Sequence, residues 1–380
     1  MRILTVSGPL HREFGGPPLA ATGVAVSLSN IGHQVKMIVC GQSLSDSRQN
    51  SLFFDKLSAS GAEVQIFLRR KESKYGAVPR IKELKSLWLD VSKSDFVILH
   101  QVFELQYLVV SPILLFLRKR YVVMPHGTLT SYQRKQHRLR KILFFPAIYL
   151  FLKASRGIFV ATQQESDQLP PYLEGKGMIV GLGIEISEQI YQRSTSFNST
   201  FNLLYMGRIT KKKRLELALQ SFALASKESE IQMKFIICGS GEERDVSALK
   251  NKIQLLQIED VVDFRGWVDF SEKQTAFAES DCFILTSEDE NFAIAAAEAL
   301  AHGLPCILSS NVALSSLVTK YGAGIVFKEL EVSEIKQAII KISKIDRAVS
   351  GRSSLKAASE LSWEAVVQKW DSTIKNLMQT

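Results

Sequence analysis

The chain has 380 residues, 46% hydrophobic and 22% charged, with a formal net charge of +9. It is too long for one typical domain and too apolar for a disordered segment, which leaves two globular domains of ordinary composition. Cys40, Cys238, Cys282 and Cys306 are scattered through apolar runs without a C-x-x-C, which argues against a disulfide framework or a cysteine metal site.

Met1-Arg-Ile-Leu-Thr-Val opens directly as a buried strand, so no signal peptide is expected and the chain is expected to be cytoplasmic. Gly8 to Ala20 reads as a loop containing Gly15-Gly16-Pro-Pro. A helix from about Ala20 to Ile31 and the strand Gln34 to Cys40 complete a βαβ opening of parallel-sheet character. Gly15 and Gly16 fit either a flexible turn or a place where backbone approaches a charged ligand. There is no G-x-G-x-x-G after the first strand and no acid after the second, which argues against a dinucleotide site. Further strands are expected at Gly61–Phe67, Asp95–His100, Tyr121–Gly127, this one ending in a turn, and Gly157–Thr162. His100 and His126 would then lie at the C-terminal ends of parallel strands, where open α/β sheets bind ligands.

Between Glu104 and Glu165 there is no acidic residue, whereas ten Lys and Arg fall in that interval, more than the whole net charge. Within it, 134–156 runs from a basic turn into the uncharged stretch Ile142–Leu152, too short for the ~20 residues that span a bilayer. It reads either as a buried helix with a basic entrance or as an element resting on an anionic membrane surface, which would make the protein peripheral on the inner face. Nucleic acid is not expected as a partner, because no groove-reading motif accompanies the charge.

The first domain is expected over 1–182, and 183–200, rich in Ser and Gln, reads as a linker to a second domain over 201–362. That domain opens with a strand, Gly207-Arg208, and the cluster Lys211–Arg214 at a helix start. Arg offers a planar fork of donors and Lys a mobile point charge, so the group fits a pyrophosphate clamp or, equally, a solvated basic turn. Met233–Cys238 with its glycine turn and Val261–Val268 follow. The strand Asp281–Leu285, the polar loop Ser287–Asn291, a helix from Phe292 to His302, Gly303 and Pro305 form a strand–loop–helix–strand unit. Its helix N-terminus suits phosphate. Glu290 lies in the loop and Glu298 within the helix among alanines; a lone Glu298 would face water, but the E-x7-E spacing also lets both meet one ligand.

The stretch S-E-D-E-N-F-A-I-A-A-A-E-A-L-A-H-G-L-P resembles the E-x7-E signature of retaining glycosyltransferases of family 4. It departs at Ala293, where Gly is usual, and at Thr286, where Pro is usual. The resemblance implies a GT-B fold: two Rossmann-like doubly wound parallel-sheet domains facing across a cleft, with a final helix, 363–380, returning to the first domain through Trp363 and Trp370. It implies transfer of a sugar from a nucleotide-diphosphate donor to a saccharide or lipid-linked saccharide acceptor in surface polysaccharide or glycoconjugate synthesis.

For individual residues, the resemblance implies that His126, in P-H-G, lies beside the donor sugar and that Gly15 and Gly16 face the diphosphate. Arg208 and Lys213 match its phosphate-binding pair after Gly207, with Arg214 standing where Gly is usual. Gly266, Trp267 and Val268 lie where the base would sit, and Asn291, Phe292 and Ala293 at the phosphate-facing helix tip. Glu290 would hold donor hydroxyls and Glu298 the ribose. With no Asp-x-Asp pair, neither metal nor cofactor is expected, and Arg208, Lys213 and the helix tip would stabilise the leaving phosphate. A nucleotide-sugar epimerase or hydrolase on the same fold, a dehydrogenase and a non-catalytic scaffold are the rival readings.

Overall fold

The computed structural model describes residues 1–11, 15–43, 51–69, 76–135, 148–186 and 200–379. Most of the expected linker 183–200, and Arg138, Arg140 and Lys141 of the basic stretch, therefore lie outside the described residues. The chain divides into two units, Met1–Gly183 with Trp363–Thr380, and Ile184–Ser362.

The first unit holds seven strands: β1 (Arg2–Ser7), β2 (Gln34–Ser43), β3 (Glu63–Arg69), β4 (Phe96–His100), β5 (Tyr121–Met124), β6 (Gly157–Val160) and β7 (Gly177–Ile179). They pair in parallel in the order β3-β2-β1-β4-β5-β6-β7. Strand order reverses between β1 and β4, where Val6 pairs with Leu99, so Ser7 and His100 leave the sheet side by side. Sheets of this kind bind ligands at such a point. Strands β4 to β6 are buried throughout, as their unbroken apolar sequences demand of strands covered on both faces.

Two local expectations need correction. The first helix begins at Gly16, not Ala20, because Pro17 and Pro18 occupy its first turn, where the missing N–H groups are no loss. Gly16 is thus helical, and Gly15, at φ 80°, is the N-cap. β5 ends at Met124, and the turn expected at its end is made by His126 (φ 50°) and Gly127 (φ 80°), whose backbone is left-handed.

The second unit holds β8 (Thr200–Met206), β9 (Gln232–Cys238), β10 (Val262–Gly266), β11 (Cys282–Leu285), β12 (Cys306–Ser309) and β13 (Gly324–Phe327). The order is β10-β9-β8-β11-β12-β13, again parallel, with the reversal between β8 and β11. The helix after β11 spans Ile294–Ala301, shorter than expected. Its start is displaced because Ala293 sits left-handed at φ 64°. At its other end Gly303 (φ 71°) donates to Leu300 and Leu304 donates to Ala299, which closes the last turn.

The C-terminal helix Trp363–Gln379 packs on the first unit. A Cβ on Gly23 or Gly183 would lie 2.1 or 2.3 Å from the Trp363 ring, so both glycines exist to admit that indole. Trp370 is buried, edge-on to Phe159, and its indole N–H donates to the Gly181 carbonyl at 3.1 Å.

Candidate functional site

The switch point of the second unit is built from the segments leaving β8 and β11. Gly207 donates to the Cys238 carbonyl and Ile209 to that of Ser240, which lays the Arg208 segment across the glycine turn after β9. Side chains there are excluded: a Cβ on Gly239 would lie 2.0 Å from the Gly207 oxygen, and one on Gly241 2.3 Å from that of Ile209. Tyr205 donates its hydroxyl to the Arg208 carbonyl at 3.0 Å, and the Arg208 side chain is exposed at the strand end.

The three residues Lys212, Lys213 and Arg214 are zipped to the acidic loop after β11. Lys212 pairs with Asp289 (3.2 Å), Lys213 with Glu290 in close contact, and Arg214 with Glu288 (2.6 Å). The Glu288 N–H donates to the Lys212 carbonyl at 3.0 Å. Arg214 adopts φ 48°, a left-handed conformation that costs a non-glycine residue about 1 kcal/mol. Its side chain offsets this by bridging Glu216 and Glu288, while Thr286 donates its hydroxyl to the Lys213 and Arg214 carbonyls. Two of the three departures from the expected motifs, Thr286 and Arg214, are therefore one local solution.

Glu290 is held at both ends. Its backbone exchanges hydrogen bonds with Asn311 and Ala313, and its carboxylate meets Lys213. Burial alone would raise its pKa, but Lys213, Lys212 and Arg208 outweigh that and hold it below the ordinary value. Arg208, Lys213 and Glu290 thus form one electrostatic cluster. Phe292 and Ala293 are buried, so they present backbone to the site, and the helix behind them has no side-chain N-cap. An uncapped helix start leaves N–H groups available to an anion.

Glu298 lies one turn into that helix, and its ion pair is with Lys273 at 2.5 Å rather than with the Arg208 cluster. Lys273 was not singled out in the sequence. It lies on the helix Phe270–Glu279, which Asp269 and Glu272 cap reciprocally just after Trp267 and Val268. His302 steadies the same corner, contacting the Glu298 carbonyl and the Gln274 amide through its two ring nitrogens and stacking on Phe277. Gly266 ends β10 at φ 69°, Trp267 is exposed, and Val268 lines a cavity of about 370 Å³ with Arg265, Ser271, Glu272 and Thr275.

The first unit's switch point is chemically different. His100 Nδ1 lies 3.0 Å from His126 Nε2, with the rings stacked. Burial drives the His126 pKa down to about 3, and burial with the neighbouring imidazole lowers that of His100, so both are neutral near pH 7. The His126 turn is pinned by Glu165, which accepts from the N–H groups of Gly127 (2.6 Å) and Ala161 (2.8 Å). Tyr107 donates its hydroxyl to the His100 carbonyl at 2.5 Å. At the same sheet end, against Gly8 and near Tyr107, Glu104 is buried and its carboxyl is pushed up to about 8 by desolvation, against the pull of Gln106. A Cβ on Gly76 would lie 2.0 Å from Gln106 Oε1, and one on Gly8 2.9 Å from Glu104 Oε2. Two glycines close on Glu104 and Gln106, neither of which sequence reasoning proposed for the site. Glu104 marks the start of the acid-free interval, which was the one available signal.

Among the described residues no group of three or more His, Cys, Asp or Glu is gathered as a metal ion would need.

Comparison with known proteins follows this division. Residues 187–358 match the family described as Glycosyl transferases group 1. Mannosylfructose-phosphate synthase of Agrobacterium fabrum is 26% identical over 176 residues, 44% of this chain and 38% of that protein. Alpha-monoglucosyldiacylglycerol synthase of Streptococcus pneumoniae is 32% identical over 117 residues, 31% of this chain and 26% of that protein. The matched stretches thus span well under half of these relatives' length. Solved structures align along the whole chain. HepE of Anabaena, in complex with UDP and glucose, superposes with TM-score 0.73 at 16% identity, covering 98% of this chain and 99% of its own. Sucrose-phosphate synthase of Thermosynechococcus elongatus gives 0.72 at 16% identity, covering 100% and 99%. These neighbours share the GT-B fold, two parallel-sheet α/β domains of the kind seen here with seven and six strands.

Proposed function

We propose that this chain, whose second unit is a group 1 glycosyltransferase domain of the family 4 type on a GT-B fold, transfers a sugar from a nucleotide-diphosphate donor to a saccharide or lipid-linked saccharide acceptor, with retention at the anomeric carbon. The observation that carries this reading is the cluster of Arg208, Lys213 and Glu290 at the β8/β11 switch point, beside an uncapped helix start. As the glycosidic bond breaks, negative charge develops on the departing diphosphate. Fixed cations and backbone N–H groups stabilise that charge without reorganising, and no metal is required. Pairing with Glu290 holds Lys213 in place and leaves its remaining protons for phosphate oxygens.

In this reading Gly207 and the backbone of Asn291, Phe292 and Ala293 complete the diphosphate site. Glu290 also accepts from donor hydroxyls, Glu298 accepts from the ribose, and Gly266, Trp267 and Val268 flank the base. From the first unit we assign substrate contacts to Gly15, Gly16 and His126, the last acting as a neutral imidazole. Relatives named for a glucosylated diacylglycerol and for colanic acid biosynthesis support a lipid-linked or polysaccharide acceptor.

The test is a saturation-transfer NMR screen of UDP-, GDP- and ADP-sugars, followed by product analysis with candidate acceptors. A new glycoside of unchanged anomeric configuration is expected. An epimerised donor, or free sugar alone, would instead favour the epimerase or hydrolase reading.

A further inference from the structure

Two helices of the first unit, Ile81–Lys93 and Tyr107–Phe116, and the helical residues 148–154 pack on one core through Leu87, Val91, Val110, Ile113, Phe151 and Leu152. Beside lysines, their outward residues include large apolar side chains that such helices normally keep from water. Trp88, Leu89, Leu108, Leu115, Phe116 and Leu150 are all exposed, Phe116 to 76% and Leu150 to 63%. The Trp88 and Phe116 rings lie 5.6 Å apart, so the patch is continuous across the first two helices. Exposed apolar surface of this extent, carrying Trp and Phe, marks a contact face rather than ordinary surface scatter.

The exposed charges that these elements themselves carry have one sign. Lys82, Lys85, Lys93 and Lys153 are exposed on these elements, and Arg118 on the turn that follows the second of them. The only acids on these elements, Glu83 and Asp90, pair with Arg69 at 2.9 Å and Lys36 at 2.8 Å. Cations that meet anionic headgroups, around aromatic and aliphatic side chains that enter the headgroup–acyl boundary, are the two components of in-plane membrane binding. A second copy of this chain would bring a like-charged rim against this one. Among the described residues no helix is long and apolar enough to cross a membrane, so the contact is peripheral.

We infer that this face of the first unit docks on an anionic lipid bilayer, with Trp88 and Phe116 inserted and the surrounding lysines and arginines on the headgroups. The inference stands on this face's exposure and charge, independently of the proposed reaction. It places the membrane contact on 81–93 and 107–118 rather than primarily on the basic stretch 134–156.

The experiment is sedimentation of the full chain with phosphatidylcholine vesicles that contain, or lack, about a third phosphatidylglycerol. The wild type is expected to sediment with the anionic vesicles at least tenfold more strongly than with the neutral ones. The pair Trp88→Ser and Phe116→Ser should lose about tenfold with an unchanged far-UV spectrum and Tm, both side chains being exposed. The set Lys82→Gln, Lys85→Gln and Arg118→Gln should fall to the level of neutral vesicles, which keeps the test decisive if the aromatic variant misfolds. Three results overturn the inference. They are no sedimentation of the wild type, equal sedimentation of wild type and both variants, and a wild-type dimer in analytical ultracentrifugation that the aromatic variant dissociates.

Discussion

Each unit brings polar side chains to the end of a parallel sheet at the point where strand order reverses, and each keeps them there by a different means. In the second unit the groups are charged and paired: Lys212 with Asp289, Lys213 with Glu290, Arg214 with Glu288, Lys273 with Glu298. In the first they are neutral, because burial has driven His100 and His126 down and Glu104 up. A site of fixed charges suits a diphosphate, whose charge must be matched. A site of neutral donors and acceptors suits hydroxyl groups, which carry none. The same topology thus offers two chemistries, and the difference lies in whether a counter-ion was built beside each buried group.

The largest expected effect comes from removing one charge of the paired site. Lys213→Ala should lower kcat/KM by roughly a hundred- to a thousandfold, the usual loss when one preorganised donor to a developing anion is deleted. It also strands Glu290, so Tm should drop with it. The double variant Lys213→Met, Glu290→Gln should recover Tm while turnover stays lost, separating the chemical role from the structural one.

Within the neutral site, Glu104 responds to pH in the opposite sense to Glu290, whereas the lowered histidines, like Glu290, lose their contribution as pH falls. The Glu104 carboxyl keeps its proton to about pH 8 in the folded chain, whereas the unfolded chain releases it near its ordinary value of 4.5. Between those values the unfolded state binds fewer protons, so stability falls as pH rises. Glu104→Gln should abolish that fall, making the variant more stable than wild type by up to a few kcal/mol near pH 8 and equal to it near pH 4. Glu290 runs the other way: its pKa is lowered, so its contribution is present above the ordinary carboxylate value and is lost as pH falls. Thermal unfolding of Glu104→Gln and of Glu290→Gln across pH would sharpen the contrast, and parallel profiles would break it.

Much of the fold was legible in the sequence, and what was not is mostly set by contacts between distant residues. Most strands of both sheets are short apolar runs, and several of them begin or end at a glycine. The Gly207–Arg208–Lys213 group is a local pattern, readable because its meaning lies within a few residues. Lys273 and Glu298 are far apart in sequence and meet only through the packing of two helices, so neither predicted the other. Glu104 was passed over for the same reason, since its environment is set by Gly8 and Gly76. The left-handed Arg214 was hidden too, because a basic residue after three lysines reads as more of the same cluster. β7, only Gly177–Ile179, is too short to show a period.

Two smaller effects follow. Glu298→Ala should weaken donor binding by roughly ten- to a hundredfold, the range expected for a lost hydrogen bond to a charged group, and calorimetric titration with the donor would read it. Ala293→Gly relieves a residue held at φ 64° and should raise stability by about 1 kcal/mol, seen as a Tm increase of a few degrees.

The central claim is that Arg208 and Lys213 grip a nucleotide's paired phosphates at the second unit's sheet end. Calorimetric titration of the protein with UDP, GDP and ADP, in the presence of a chelator, tests it most directly. One of the three should bind, and Arg208→Gln should weaken it at least tenfold with Tm unchanged, since that side chain is exposed. Absence of binding by all three, or equal affinity of wild type and variant, would contradict the account.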